Sequence, residues 1–294
     1  MKSKVKDKII QAGKIAKEVR DWIKPFVKKG VPLIEIAEKI ESKIIELGGK
    51  PAFPVNLSMD EIAAHFTPSH DDKTTAHGLL KVDFGVHVNG WTADNAFSVD
   101  LENSKENKKL IEASESALNK ALESAKENIL VSLIGKAIQK EIEIFKASPI
   151  INLSGHEIRQ YDLHAGITIP NIDDKRSDRL AKGVYAIEPF TTNGVGKIHE
   201  GKPSGIYSLA SNENIRSSEA RKILEFIERE YRTLPFCSRW IVKKFGTRAL
   251  ISLRQLESNG NLHEYPQLVE NSGNNVAQTE HTIFVDKEVI VVTD

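Results

Sequence analysis

Asp83 and Asp94 each interrupt an otherwise apolar, strand-like run, Val82-Asp83-Phe84-Gly85-Val86 and Thr92-Ala93-Asp94-Asn95-Ala96-Phe97. A carboxylate buried in such a run is costly without a partner, so two of them call for a cation or an ion-pair network. Asn89-Gly90 joins the runs, and that dipeptide favours a two-residue type I′ hairpin turn. Pairing outward from the turn sets Val88 against Trp91, Gly85 against Asp94 and Asp83 against Ala96. The side-chain period of two then puts Asp83, Gly85, Asp94 and Ala96 on one face, with the aspartates diagonal at roughly 7–8 Å between Cα atoms. Gly85 and Ala96 are expected to keep the floor between the acids empty. Two acids converging over small residues make a cation site, because the ion relieves their repulsion. From the hairpin alone, local caps or ion pairs explain the aspartates equally well.

Further along lie His156 in Ser154-Gly155-His156, His164 in Leu163-His164-Ala165-Gly166, Glu188 in Ala186-Ile187-Glu188-Pro189, and Glu280 in Gln278-Thr279-Glu280-His281. Each has an ordinary alternative: a hydrogen-bonded histidine, a strand-end acid meeting solvent, an edge-strand acid. Taken together, Asp83, Asp94, His156, Glu188 and Glu280 offer four negative charges and one imidazole, which balances two divalent cations. An oxygen-rich set with one nitrogen suits Mn, Fe, Co or Zn and leaves the choice among them open.

The elements that must position these residues follow from periodicity. Residues 3–24 and 32–47 read as amphipathic helices, the first on Val5, Ile9, Ile10, Ala12, Ile15, Ala16, Val19 and Ile23. Residues 51–57 read as a strand. Ser58 followed by Glu61 forms a capping-box pattern and predicts a short helix through His65. The hairpin 79–88 and 91–100 precedes two helices, 105–127 and 133–146. Strand-like segments follow near 149–153, 159–162 and 183–189, then a helical, charged stretch at 216–257. The chain ends in strands over 279–285 and 288–292. Helices and strands in this order predict an α+β fold. The helix-pair-and-strand pattern recurs in the two halves, a hint of pseudo-symmetry.

With these segments in view, the chain resembles methionine aminopeptidases of the type 2 class. The resemblance rests on Ala52-Phe53-Pro54, Ile62-Ala63-Ala64-His65-Phe66-Thr67-Pro68, Val82-Asp83-Phe84-Gly85-Val86-His87, Gly155-His156 with His164-Ala165-Gly166, Ala186-Ile187-Glu188-Pro189-Phe190 and Gln278-Thr279-Glu280-His281-Thr282. They occur in the family's order and cover nearly the whole chain. The resemblance implies one catalytic domain, residues 1–294, with the pseudo-two-fold pita-bread fold and a helical insertion at 205–265. It implies removal of the initiator methionine from nascent proteins whose second residue is small, by water activated between two divalent metal ions. Asp83 would chelate one metal, His156 and Glu188 the other, and Asp94 and Glu280 would bridge both. His65 and His164 would hydrogen-bond the scissile peptide. Phe53, Leu163, Phe190 and Tyr265, with Pro235 nearby, would surround the methionine side chain. Asn95 and Thr279 depart from the family pattern, which often has Thr or Cys after the first bridging acid and an aromatic before the last. Relatives specific for X-Pro usually carry a large N-terminal domain. An inactive pita-bread protein that binds RNA, ribosomes or protein partners would be expected to have lost ligands that this chain keeps.

The resemblance implies a cytoplasmic enzyme, and 40% hydrophobic with 28% charged residues allows an ordinary globular core. Lys+Arg and Asp+Glu are both 41, which gives no global case for nucleic acid or membrane. The run Lys2, Lys4, Lys6, Lys8, Lys14, Lys17 reads first as a solvated helix face, with transient ribosome contact as the lesser reading. No window is apolar enough to span a bilayer. The single Cys237 excludes an intrachain disulfide and reads as a packed thiol. The glycosylation patterns at Asn56 and Asn152 carry no meaning in a cytosolic protein. A monomer is expected.

Overall fold

The computed structural model describes residues 3–294; Lys2 lies outside them. Helix α1 (Ser3–Ile23) buries Ile9, Ala12, Ile15, Ala16, Val19 and Ile23, one stripe at helical spacing, and leaves Lys4, Lys14 and Lys17 exposed. With α2 (Leu33–Glu46) it packs on Val82, Phe84 and Val86, the outer face of the first hairpin. Helices α3 (Lys105–Ser124) and α4 (Val131–Ile144) repeat the arrangement over Ile169, Tyr185, Ile187, Ile283 and Val285. Ser104 caps α3 by accepting the Asn107 amide at 3.3 Å.

Between the helix pairs runs one curled sheet. Its path is Lys50–Pro51, Leu79–Val88, Trp91–Asp100, Glu280–Val285, Gly183–Ile187, Ser154–Arg159 and Asp162–Pro170, with Asn56–Met59 and Val289–Val291 added at its sides. This is the pseudo-two-fold α+β arrangement expected. The helices cover the convex face, so the side chains of alternate parity converge on the concave one. Hairpin register is as expected: Val88 faces Trp91, Gly85 faces Asp94 and Asp83 faces Ala96, with φ of 53° at Asn89 and 81° at Gly90.

Four expectations need correction. Residues 51–57 are not one strand: Pro51 ends the short strand Lys50–Pro51, Asn56 begins the strand Asn56–Met59, and 52–55 are irregular between them. Residues 58–65 form no helix; they are the strands Asn56–Met59 and Ile62–Ala64 joined through Asp60, at φ 50°. Pairing with Lys81 and Leu80 outweighs the capping pattern, and Ser58 Oγ instead accepts the amide of Phe66. The second hairpin is Ser154–Arg159 and Asp162–Pro170, so 159–162 is its turn, with Tyr161 at φ 59°. Ile151 and Asn152, placed in a strand by the sequence, form the turn before it.

Over the open side lie the strands Ile198–Leu209 and Leu262–Glu270, which pair with each other and with Phe236–Cys237 and Ile62–Ala64. Between the two long strands come α5 (Ser218–Glu230), α6 (Ser238–Phe245) and α7 (Ala249–Ser258), packed around Tyr207, Phe236 and Leu253. Arg239 of α6 reaches back to α2, where Nη1 and Nη2 each donate to Glu41 at 2.7 Å, both groups buried. Among the described residues no helix is long and apolar enough to cross a membrane.

Candidate metal centre and its cavity

Sheet pairing brings the acids together. Asp83 lies opposite Ala96, and Ala96 lies opposite Glu280, so the three form a row across three strands. Asp94 sits two residues from Ala96 on the same face. Thr282 locks it to the next strand: Thr282 Oγ1 accepts the Asp94 amide at 2.7 Å and donates to the Asp94 carbonyl at 2.8 Å. His156 pairs with Ala186, and Glu188 follows at that same parity just past the strand's end. Gly155 is required here, because a Cβ would lie 2.2 Å from the Ala186 carbonyl oxygen.

The curl of the sheet closes the remaining gap. His156 Nε2 lies 3.8 Å from Asp94 Oδ2 and 3.7 Å from Glu188 Oε1. Donor atoms of Asp94, His156 and Glu280 all lie within 4.8 Å of one another. Such spacings are too long for hydrogen bonds but suit ligands sharing an ion at about 2.0–2.2 Å from each. Asp83 Oδ1, Asp94 Oδ1 and Glu280 Oε1 are buried without a hydrogen-bond partner. Three orphaned carboxylate oxygens converging on one pocket fit a cation centre.

Electrostatics agrees. Burial raises the Asp83 carboxyl to about 7. Burial, and then the neighbouring acids, push Asp94, Glu188 and Glu280 well above the carboxylate range. Burial, and then His164, hold the His156 imidazole well below its usual value. A neutral imidazole beside acids in need of positive charge is what a cation requires.

Eleven residues picked from the sequence line one cavity of about 220 Å³: Phe53, His65, Asp83, Asp94, His156, Leu163, His164, Glu188, Phe190, Tyr265 and Glu280. Pro235 lines it too. The floor at Gly85 is not empty as expected, because the Phe53 ring occupies it; a Cβ on Gly85 would meet Phe53 Cε1 at 2.5 Å. Leu163 packs beside Phe53, and Phe190 is buried. His65 takes a left-handed conformation, φ 63°, at the end of its strand. Its Nδ1 donates to the Pro266 carbonyl at 3.1 Å, which leaves Nε2 as a bare acceptor. Burial holds its pKa near 4. His164 is edge-on to His156, ring centroids 4.5 Å apart, and burial among its neighbours lowers its pKa.

Sequence reasoning passed over three polar groups here. Gln278 donates to Glu188 Oε2 at 3.3 Å and is itself buried. Asn56, opposite Asp83, and Asn152 both line the cavity. Their only sequence signal was the glycosylation pattern set aside above; for Gln278 it was its place two residues before Glu280. The two departures point away from the acids. Asn95 donates to the Phe84 carbonyl at 2.7 Å, and Thr279 shares a 2.7 Å hydrogen bond with Ser114 of α3. Cys237 is buried, its thiol pushed up to about 12, chiefly by that burial.

Residues 7–287 match the sequence pattern of metallopeptidase family M24. The chain is 46% identical over 292 residues to the methionine aminopeptidase of Pyrococcus horikoshii, covering 98% of each. In fold it is similar to a thermophilic Arx1, with TM-score 0.83 and 14% identity over 99% of this chain and 91% of that one. It is likewise similar to the methionine aminopeptidase of Thermotoga maritima, with TM-score 0.73 and 19% identity over 100% and 98%. By a match that spans nearly its whole length, the chain belongs to metallopeptidase family M24.

Proposed function

We propose that this chain removes the initiator methionine from new polypeptides whose second residue is small, hydrolysing the first peptide bond at a two-cation centre. The observation that carries the reading is one cavity lined by four carboxylates and an imidazole, Asp83, Asp94, Glu188, Glu280 and His156, and also by the apolar Phe53, Leu163 and Phe190. The name of the 46%-identical relative supports the substrate. Helices α5–α7, between two long paired strands, support assignment to the type 2 class, with residues 205–265 as its insertion.

Asp83, Asp94, His156, Glu188 and Glu280 would hold the cations. Two divalent ions bound there supply an acidified water and Lewis acidity at the scissile carbonyl. The chain's own groups do the positioning. The acids attract the free α-amine of the substrate. Phe53, Phe190 and Tyr265 offer ring edges and faces to a thioether, a contact that favours Met over polar chains of equal length. His65, neutral and with Nε2 bare, accepts the N–H of the scissile peptide, while His164 serves the carbonyl side. A cavity of about 220 Å³ leaves little space for a bulky second residue.

The test is release of methionine from Met-Ala-Ser, compared with Met-Leu and Ala-Pro peptides, by metal-stripped protein resupplied with Mn, Co, Fe or Zn. Metal-dependent cleavage of the first alone, abolished in Asp94→Ala, is expected. Cleavage of Ala-Pro points instead to a proline-directed enzyme, and a folded but inert protein to a binding role.

A further inference from the structure

A second and larger cavity, about 540 Å³, lies between α2 and the helices α5 and α6. Phe226, Leu234, Tyr231 and Trp240 give it an apolar, largely aromatic wall. Its size falls within the range of small-molecule sites. Leu234 divides it from the catalytic cavity, since that side chain packs on Phe53 and Leu163.

The polar groups of this cavity are unbalanced in one direction. Its carboxylates are already engaged: Glu41 by Arg239 and by Trp240 Nε1, Glu230 by Lys50 at 2.6 Å, and Glu38 by Lys243 at 3.5 Å. The donors are not. His87 lines the cavity while only 7% exposed. Its Nδ1 accepts the Gly90 amide at 3.0 Å, so the proton resides on Nε2, and no acceptor among the described residues meets it. Lys244, also on the wall, has no carboxylate within ion-pair distance among the described residues and lies over the Phe226 ring. His87 Nε2–H and the Lys244 ammonium are therefore donors that a ligand oxygen can meet.

We propose that this cavity binds a small aromatic carboxylate, its ring among Phe226, Tyr231 and Trp240 and its carboxylate accepting from His87 Nε2–H and Lys244. The site is separate from the metal centre and does not depend on the peptidase reading.

The probe is 2-naphthoate, titrated calorimetrically into the full metal-loaded chain, with neutral 2-naphthamide as comparison. Binding is expected to weaken at least tenfold for the amide and in Lys244→Glu. It should be lost in Ser42→Trp, which fills the cavity from the exposed side of α2, and be unchanged in Asp94→Ala. The His87 Nε2–H resonance should shift on binding. Lys244 and Ser42 are surface positions, so both variants should fold and keep peptidase activity. Absence of binding, equal affinity for acid and amide, or binding lost in Asp94→Ala but kept in Lys244→Glu would overturn the proposal.

Discussion

Gly85→Ala is a one-methyl change that reads the geometry of the proposed methionine pocket. The new Cβ would lie 2.5 Å from Phe53 Cε1, and 3.0 Å from both Phe53 Cδ1 and the Ala52 Cβ. Carbon atoms in ordinary contact stay about 3.5–4.0 Å apart, so the ring must retreat by roughly 1 Å. Gly85 has a backbone that alanine can adopt, so the effect is steric. Ala52 and Leu234 pack behind the ring, and the room left is the cavity itself. Overpacking of this kind costs about 1–3 kcal/mol of stability. A ring displaced toward the substrate would also remove part of the apolar burial of the methionine side chain, worth about 1.5–3 kcal/mol in full. A loss of half to all of that burial lowers kcat/KM for Met-Ala-Ser by about 4-fold to 150-fold. The cations should still bind, because Asp83 and Asp94 keep their register.

The assay is kcat/KM with saturating metal, together with urea midpoints, for Gly85→Ala, Phe53→Leu and the double variant. Phe53→Leu shortens the obstructing side chain, so the double variant should recover stability relative to Gly85→Ala, a non-additivity of at least 0.5 kcal/mol. Wild-type kinetics and stability in Gly85→Ala, or strict additivity in the double variant, would refute the placement of Phe53 over Gly85.

Three other outcomes are expected. In metal-free protein the folded carboxyl of Asp83 sits near 7, above its unfolded value, so it holds its proton more tightly when folded; stability should therefore fall as pH rises from about 4 through about 7, and saturating Mn²⁺ should remove that fall in urea midpoints. Lys81 is fully buried, and burial lowers its folded pKa from 10.5 to about 7, so the unfolded chain binds more protons above neutrality; stability should rise from about pH 7 to about pH 10.5, and Lys81→Met should flatten that slope by a few kcal/mol across the interval. Thr293 Oγ1 bonds His281 Nδ1 at 2.8 Å and accepts the Thr282 amide at 3.1 Å, which steadies the strand carrying Glu280; Thr293→Val should weaken Mn²⁺ affinity measured by calorimetry, Thr293→Ser should restore it, and equal affinities would remove that role.

What the sequence disclosed depended on distance along the chain. The hairpin register was legible because Asn89-Gly90 admits one close pairing, and from it the common face of Asp83 and Asp94 followed. The helices were legible because their apolar positions recur at helical spacing. The Ser58–Glu61 pattern misled because a local cap competes with a strand partner more than twenty residues away, and the partner prevails. The ring of Phe53 over Gly85, the Gln278 bond to Glu188 and the Arg239 pair with Glu41 join residues 32, 90 and 198 positions apart. No local period encodes such contacts. The five proposed ligands were legible only as a set in order, by resemblance, since each alone suits an ordinary strand-end or edge acid or a hydrogen-bonded histidine.

The centre is assembled from both halves of the chain, and this has an energetic consequence. Asp83 and Asp94 come from the first hairpin, His156 and Glu188 from the second half, and Glu280 from the strand between them. The Asp94–Thr282 bonds that align them span 188 residues. Four carboxylates converge there although each resists ionisation in that place. They are held by what lies on the opposite face of the same strands. Val82, Phe84 and Val86 alternate with Asp83 and Gly85 and are buried under α1 and α2; Tyr185, Ile187, Ile283 and Val285 are buried under α3 and α4. Each such side chain contributes about 1.5–3 kcal/mol by leaving water. The period of two therefore couples a favourable burial on one face to an unfavourable clustering on the other, and the acids stand in position before a cation arrives. Reorganisation is then small when the ion binds, and the repulsion that the fold has imposed is returned as affinity for it.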